Sequence, residues 1–121
     1  MSSAGSTSVF QNDMELYASG VPANQFGIFF YGPDEASLPL GDGTLCVGAG
    51  GLGLFRLPVV LTSVFGIASY TLDYTQPPLD TGSGAVMAGT VMNFQHWYRD
   101  PLGPGGTGFN LSNGYEVVWQ L

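Results

Sequence analysis

No apolar stretch in this 121-residue chain runs more than about ten residues before a glycine or a proline interrupts it. An amphipathic helix needs a longer unbroken apolar period, so short strands joined by turns are the expected solution. The 19 glycines and 8 prolines follow no Gly-X-Y period, which excludes a collagen helix. With 45% hydrophobic and 13% aromatic residues, the chain has the material for a core, and its length suits one domain.

The strand signals recur along the whole chain. Residues Asp13 to Ser19 alternate, with Met14, Leu16 and Ala18 on one face. Gln25 to Tyr31 is almost continuously apolar, the pattern of a central strand. Shorter candidates are Thr44 to Val47, Val59 to Leu61, Gly66 to Tyr74 and Tyr115 to Leu121. Thr90 to Arg99 is the longest, placing Met92, Phe94, His96 and Tyr98 on one face and Asn93, Gln95, Trp97 and Arg99 on the other. Gly48 to Gly53 and Asp100 to Gly108 read as loops. The expected fold is an all-β antiparallel sandwich or jelly roll of about seven to eight strands over residues 13–121. Residues 1–12 are expected to form an N-terminal arm or a first strand.

Charge restricts the partners. Nine carboxylates face two arginines, Arg56 and Arg99, with no lysine, for a net charge of −7. Such a chain repels nucleic-acid phosphates and anionic membrane surfaces. No apolar run reaches the roughly 18 residues of a bilayer-spanning helix. Only 9% of residues are charged, against a usual level of about 25%. The lysine-free acidic composition suits an extracellular or cell-surface setting. The first eight residues lack the basic start and apolar stretch of a signal peptide, so a secreted form is expected to carry its leader upstream. Cys46 is the only cysteine, which rules out an intrachain disulfide and a multi-cysteine zinc site.

Two motifs imitate catalytic signatures. Asp80-Thr81-Gly82-Ser83 spells the aspartic-protease motif, but Pro77-Pro78 precede it and only about a third of the chain follows; a polar turn is expected. The retroviral-type protease half is therefore the remote alternative. Gly48-Ala49-Gly50-Gly51-Leu52-Gly53, with Asp73 downstream, matches a dinucleotide fingerprint, yet Pro58 falls where the required helix would continue. His96, the sole histidine, has no Gly-x-Ser-x-Gly elbow to serve and is expected at the core edge, satisfied by a backbone group. Cys46 is expected to be a small buried hydrophobe. Asp34, Glu35, Asp42, Asp80 and Asp100 lie in expected loops without calcium-loop spacing. No cofactor is expected, with calcium at those carboxylates as the one alternative. Asn110-Leu111-Ser112 matches a glycosylation sequon, which has meaning only in a glycosylating host.

Several runs resemble a C-terminal module of secreted proteins from planctomycetes and related bacteria. They are Gly5-Ser6, Asn12-Asp13, Pro22-Ala23-Asn24-Gln25-Phe26-Gly27, Leu45-Cys46-Val47-Gly48, the run from Asn93 to Asp100, and the run from Phe109 to Gly114. The resemblance implies a β-sandwich appended to varied secreted proteins, without an activity whose residues transfer here. Relatives often carry a second cysteine upstream or near the closing strand. Here Trp119 and Gln120 occupy that region, so a partner for Cys46 is not implied within the chain.

The functional expectation is a non-catalytic surface module acting through protein contact, anchoring or self-association. A carbohydrate-binding module is the alternative, for which Trp97, Tyr98 and Trp119 must lie exposed in one plane. Asn93, Gln95 and Arg99 are expected to form a structural network, with a carboxylate such as Asp73, Asp100 or Glu116 pairing a buried Arg99. Val9 and Phe10 are expected to anchor an assembly arm running from Ser2 to Phe10.

Overall fold

The structure is a computed structural model describing residues 1–121. Eleven strands form an all-β sandwich, more than the seven or eight expected, because several are only two to four residues long. In chain order they are β1 (Ser2–Ala4), β2 (Glu15–Ala18), β3 (Phe26–Gly32), β4 (Asp34–Leu40), β5 (Gly43–Gly48) and β6 (Phe55–Arg56). There follow β7 (Val60–Leu61), β8 (Ala68–Thr71), β9 (Val91–Asp100), β10 (Gly108–Leu111) and β11 (Tyr115–Val118). The only helical element is a 3₁₀ turn at Gly82–Gly84.

The larger sheet is built on the antiparallel pair β3 and β9, in register from Gly27 opposite Tyr98 to Gly32 opposite Asn93. Each of these strands has its other edge shared by two short partners. β9 takes β11 along Val91 to Phe94 and β10 along Trp97 to Asp100. β3 takes β7 at Phe26 and Gly27, and β6 at Phe30 and Tyr31. The second sheet has the order β1-β2-β8, and β4 and β5 make a separate hairpin.

Burial follows the two-residue period of the strands. Phe29 and Tyr31 of β3, with Met92 and Phe94 of β9, face the second sheet, where Leu16, Ala18 and Ala68 meet them. Trp119, only 1% exposed, closes this core beside Phe94, with ring centroids 5.7 Å apart. Its indole Nε1 donates to the Tyr74 hydroxyl at 2.8 Å, and the Tyr31 hydroxyl donates to the Gly84 carbonyl at 2.7 Å. The polar ends of these rings are thus satisfied inside an apolar layer.

The expected N-terminal arm is the first strand of the domain. β1 pairs with β2 from Ser2 opposite Tyr17 to Ala4 opposite Glu15. The Ser3 hydroxyl lies 2.7 Å from that of Tyr115, and the Val9 amide donates to the Gln120 carbonyl at 2.8 Å. Val9 packs on the core, whereas Phe10 stands 86% exposed. Within the chain, then, Val9 serves the core while Phe10 stays on the surface, and β1 is the edge strand of its sheet.

Strands β4, β6 and β10 escaped the sequence pattern. β4 carries Asp34, Glu35 and Pro39 and is exposed along nearly its whole length, so no alternation marks it. Its register with β5 shifts between Glu35 and Leu38. β10 emerges directly from the glycine-rich loop that follows β9.

Gly27 lies where β3 meets β9 most closely. A Cβ there would sit 2.5 Å from the Trp97 carbonyl oxygen and 2.7 Å from the His96 ring. A Cβ on Gly51 would meet open space. Gly27→Ala is expected to cost about 3 kcal/mol through overpacking, and Gly51→Ala less than about 0.5 kcal/mol. Urea denaturation checks the contrast; equal midpoints for the two variants would refute the close approach.

Candidate functional site

β9 sends its two faces into different environments. On the inner face the His96 ring is fully buried, its centroid 4.4 Å from that of Phe29 and 5.8 Å from that of Tyr98. Neither imidazole nitrogen has a hydrogen-bond partner, which corrects the expected backbone-satisfied histidine. It is the His96 backbone that is satisfied: its amide donates to the Ser112 hydroxyl, and its carbonyl accepts from the Ser112 amide, both at 2.9 Å. Burial first, and the positive charge of the chain's amino terminus second, lower the His96 pKa to about 4.

The outer face carries the polar network. Gln95 is fully buried; its Oε1 accepts from the Cys46 amide at 2.9 Å. Its Nε2 donates to the carbonyls of Thr44, at 2.8 Å, and of Ser112. One amide thereby ties hairpin β4–β5 and the segment between β10 and β11 to the central strand. Asn93 Nδ2 donates to the Pro33 carbonyl at 3.4 Å. Arg99 departs from the expected network. It is exposed, so it has no need of a buried carboxylate, and its guanidinium carbon lies 5.5 Å from the Trp97 ring centroid.

Trp97, Tyr98 and Trp119 do not share a plane. Trp97 points to the outer face and is half-buried, while Tyr98 and Trp119 are buried on the inner side. Strand alternation separates Trp97 from Tyr98, and Trp119 is drawn into the core by Phe94 and Tyr74. The expected three-residue platform is corrected on this ground.

Trp97 instead belongs to an apolar groove of about 530 Å³. Ile28, Phe30, Trp97 and Leu111 form its floor on the outer face of the large sheet. Leu40 and Leu45 of the hairpin and Phe109 of β10 bound one side, and Leu54 and Arg56 the other. The Phe109 and Trp97 ring centroids are 5.6 Å apart. Phe30, Val47 and Leu111 form a small core of their own beneath the hairpin, and the groove is the part of this face left uncovered. Sequence reasoning placed Trp97 and Arg99 on one face of β9 but missed the groove and the rest of its lining. The signal was in β3: a strand apolar at Phe26, Ile28 and Phe30 as well as at Phe29 and Tyr31 has two apolar faces and needs a cover on each.

The remaining candidates are dispersed. Asp80, Thr81, Gly82 and Ser83 are exposed and lead into the 3₁₀ turn. Gly48 to Gly53 turns on hydrogen bonds from Leu52 and Gly53 to the Ala49 carbonyl and leads into β6, not a helix. Cys46 is half-buried rather than fully so, and its thiol donates to the Thr44 carbonyl at 3.5 Å. It borders a hollow of about 260 Å³ with Glu35, Asn93 and Glu116. Of the five carboxylates expected in loops, Asp34 and Glu35 lie in β4 and Asp100 ends β9, which corrects that placement. Asp42 and Asp100 come together around Gly103, and the Asp42 Oδ1 accepts from the Thr107 hydroxyl at 2.7 Å. No group of three or more His, Cys, Asp or Glu side chains is arranged to hold a metal ion.

The fold defines an all-β antiparallel sandwich with a lined groove on its outer face. Comparison with family models, curated proteins and solved structures returned no match.

Gln95→Leu leaves the Cys46 amide and the Ser112 carbonyl without partners, and the Thr44 carbonyl with only the Cys46 thiol. It is expected to cost about 3 kcal/mol, whereas Arg99→Ala removes one exposed cation–π contact and costs less than about 1 kcal/mol. Thermal melts of the two variants test this order, and a reversed order would refute it. For His96 the folded pKa of about 4 lies below the ordinary value of 6.5. Its neutral form therefore stabilises the fold fully above pH 6.5, and that contribution falls away as pH drops through about 4. The loss amounts to about 3 kcal/mol. Denaturant titrations between pH 8 and pH 4 on the wild type and His96→Phe should differ by this slope; parallel curves would refute the assignment.

Proposed function

We propose that this domain is a non-catalytic module of a secreted or cell-surface protein, which anchors that protein by holding a partner protein in the outer-face groove. The observation that carries the reading is the groove itself: a concavity with eight apolar residues among its nine lining side chains, on a face the hairpin only half covers. An apolar sheet face left open marks a place of contact, and one of this volume accommodates a few side chains of a partner. The non-catalytic part is supported by the closed setting of His96, whose ring is sealed from solvent, and by Asp80 lying on an exposed turn.

The extracellular setting is supported by the acidic, lysine-free composition and by the resemblance to modules of secreted bacterial proteins. Binding of sugars finds less support. A sugar ring needs a free aromatic face bordered by hydrogen-bonding groups, and here Arg99 lies over Trp97 while the surrounding walls are aliphatic and aromatic.

Trp97 is half-buried and Trp119 is sealed in the core, so a groove ligand acts on the fluorescence of Trp97 alone. Short peptides with leucine or phenylalanine side chains are expected to shift the emission of the wild type but not of Trp97→Phe. Soluble polysaccharides are expected to leave it unchanged. Retardation of the domain by polysaccharide in affinity electrophoresis, with no response to any peptide, would overturn the reading.

A further inference from the structure

The chain has only two cationic side chains, and both stand at this groove. Arg56 is part of its lining, and Arg99 lies over Trp97 of its floor. In a protein of net charge −7, these are the only two basic side chains available to attract an acidic partner. The register fixes their separation. Arg56 and Gln95 pair with the same residue, Phe30, from opposite sides, so Arg56 and Arg99 lie two strand spacings apart across the sheet and four residues apart along it. With strands about 4.8 Å apart and a rise of about 3.4 Å per residue, their Cα atoms are roughly 16 Å from one another. In an extended peptide, side chains at positions i, i+2 and i+4 share one face and span about 14 Å.

We infer that the groove selects an extended peptide segment with carboxylates at positions i and i+4 and an apolar side chain at i+2. The two carboxylates meet Arg56 and Arg99, and the apolar side chain enters between Ile28, Phe30 and Trp97. This rests on the protein-contact reading above and deepens it by naming the partner's chemistry. A small amphiphilic acid is too short to reach both arginines at once. A second copy of this chain does not supply the pattern either, since no two of its nine carboxylates stand four positions apart in sequence.

The test uses capped peptides: Asp-Ser-Leu-Ser-Asp, its diamide Asn-Ser-Leu-Ser-Asn, the adjacent-acid isomer Ser-Asp-Leu-Asp-Ser, and octanoate as a short amphiphile. Having two arginines, the protein presents two Arg Nε–Hε resonances, which report each contact separately. Both should shift with the first peptide, and it should bind about tenfold more tightly than the diamide at low ionic strength, a preference that narrows at 0.5 M salt. Arg56→Gln and Arg99→Gln should each reduce that preference about threefold with unchanged melting temperature. Equal binding of the acid and its diamide would overturn this inference while leaving the groove as an apolar contact site. Equal binding of the adjacent-acid isomer or of octanoate would overturn the spacing. Resonances that move with protein concentration alone would assign the groove to a second copy. A silent Trp97 with every peptide would remove the protein-contact reading itself.

Discussion

The pairing of β3 with β9 is the only long ladder in this molecule with apolar material against both of its faces. Every other strand of the large sheet is short and borrows its order from these two, since β6 and β7 line one edge of β3 while β10 and β11 line the far edge of β9. Two-residue strands cannot persist alone, because the few hydrogen bonds they gain do not offset the backbone entropy they lose. Their persistence here follows from a neighbour already fixed by side chains above and below it. The close approach at Gly27 is part of that arrangement, for it lets the β9 backbone and the His96 ring come against β3 without a side chain between them.

A sheet buried on both sides needs two covers, and the chain provides them unequally. The inner face receives a full three-stranded sheet and an aromatic layer of Tyr31, Phe94 and Trp119. The outer face receives a hairpin whose β4 strand touches little. What holds that hairpin down is the Gln95 amide, which reaches the backbone at Thr44 and Cys46. A buried amide with every group paired costs little, and it specifies where the hairpin sits more sharply than apolar contact alone. The groove is the remainder of the outer face, so its shape is set by the placement of β5 and β10.

Much of this could be read from residue order, and the reasons it stops are physical. The alternation in β9 assigned each of Met92 to Arg99 to its correct face, because a long strand between unlike environments has no freedom to slip. The unbroken apolar run at Phe26 to Tyr31 marked a central strand for the same cause. β4 was invisible because neither of its faces is buried, so no selection for alternation acts on it. Arg99 was expected to be buried because its neighbours in the strand are; its length lets it leave the sheet and lie on Trp97 instead. Trp119, in the expected closing strand, was a candidate for a sugar platform if exposed. The tertiary positions of Phe94 and of Tyr74, forty-five residues earlier, draw it inward.

The concentration of positive charge on one face has a consequence for proteolysis. Trypsin cleaves after lysine and arginine, and this chain offers it two bonds, Arg56–Leu57 and Arg99–Asp100. Both lie in or at the end of strands of the large sheet, and Leu57 is buried, so neither bond can enter a protease cleft until that sheet opens locally. Tryptic digestion of the folded chain therefore samples the opening of the groove-bearing face and is blind to fraying elsewhere. Cutting at the two sites can be followed separately, through fragments ending at residue 56 or beginning at residue 100. The rate at each then compares the loosening of β6 with that of the end of β9, which makes trypsin a two-channel gauge of the sheet's local stability.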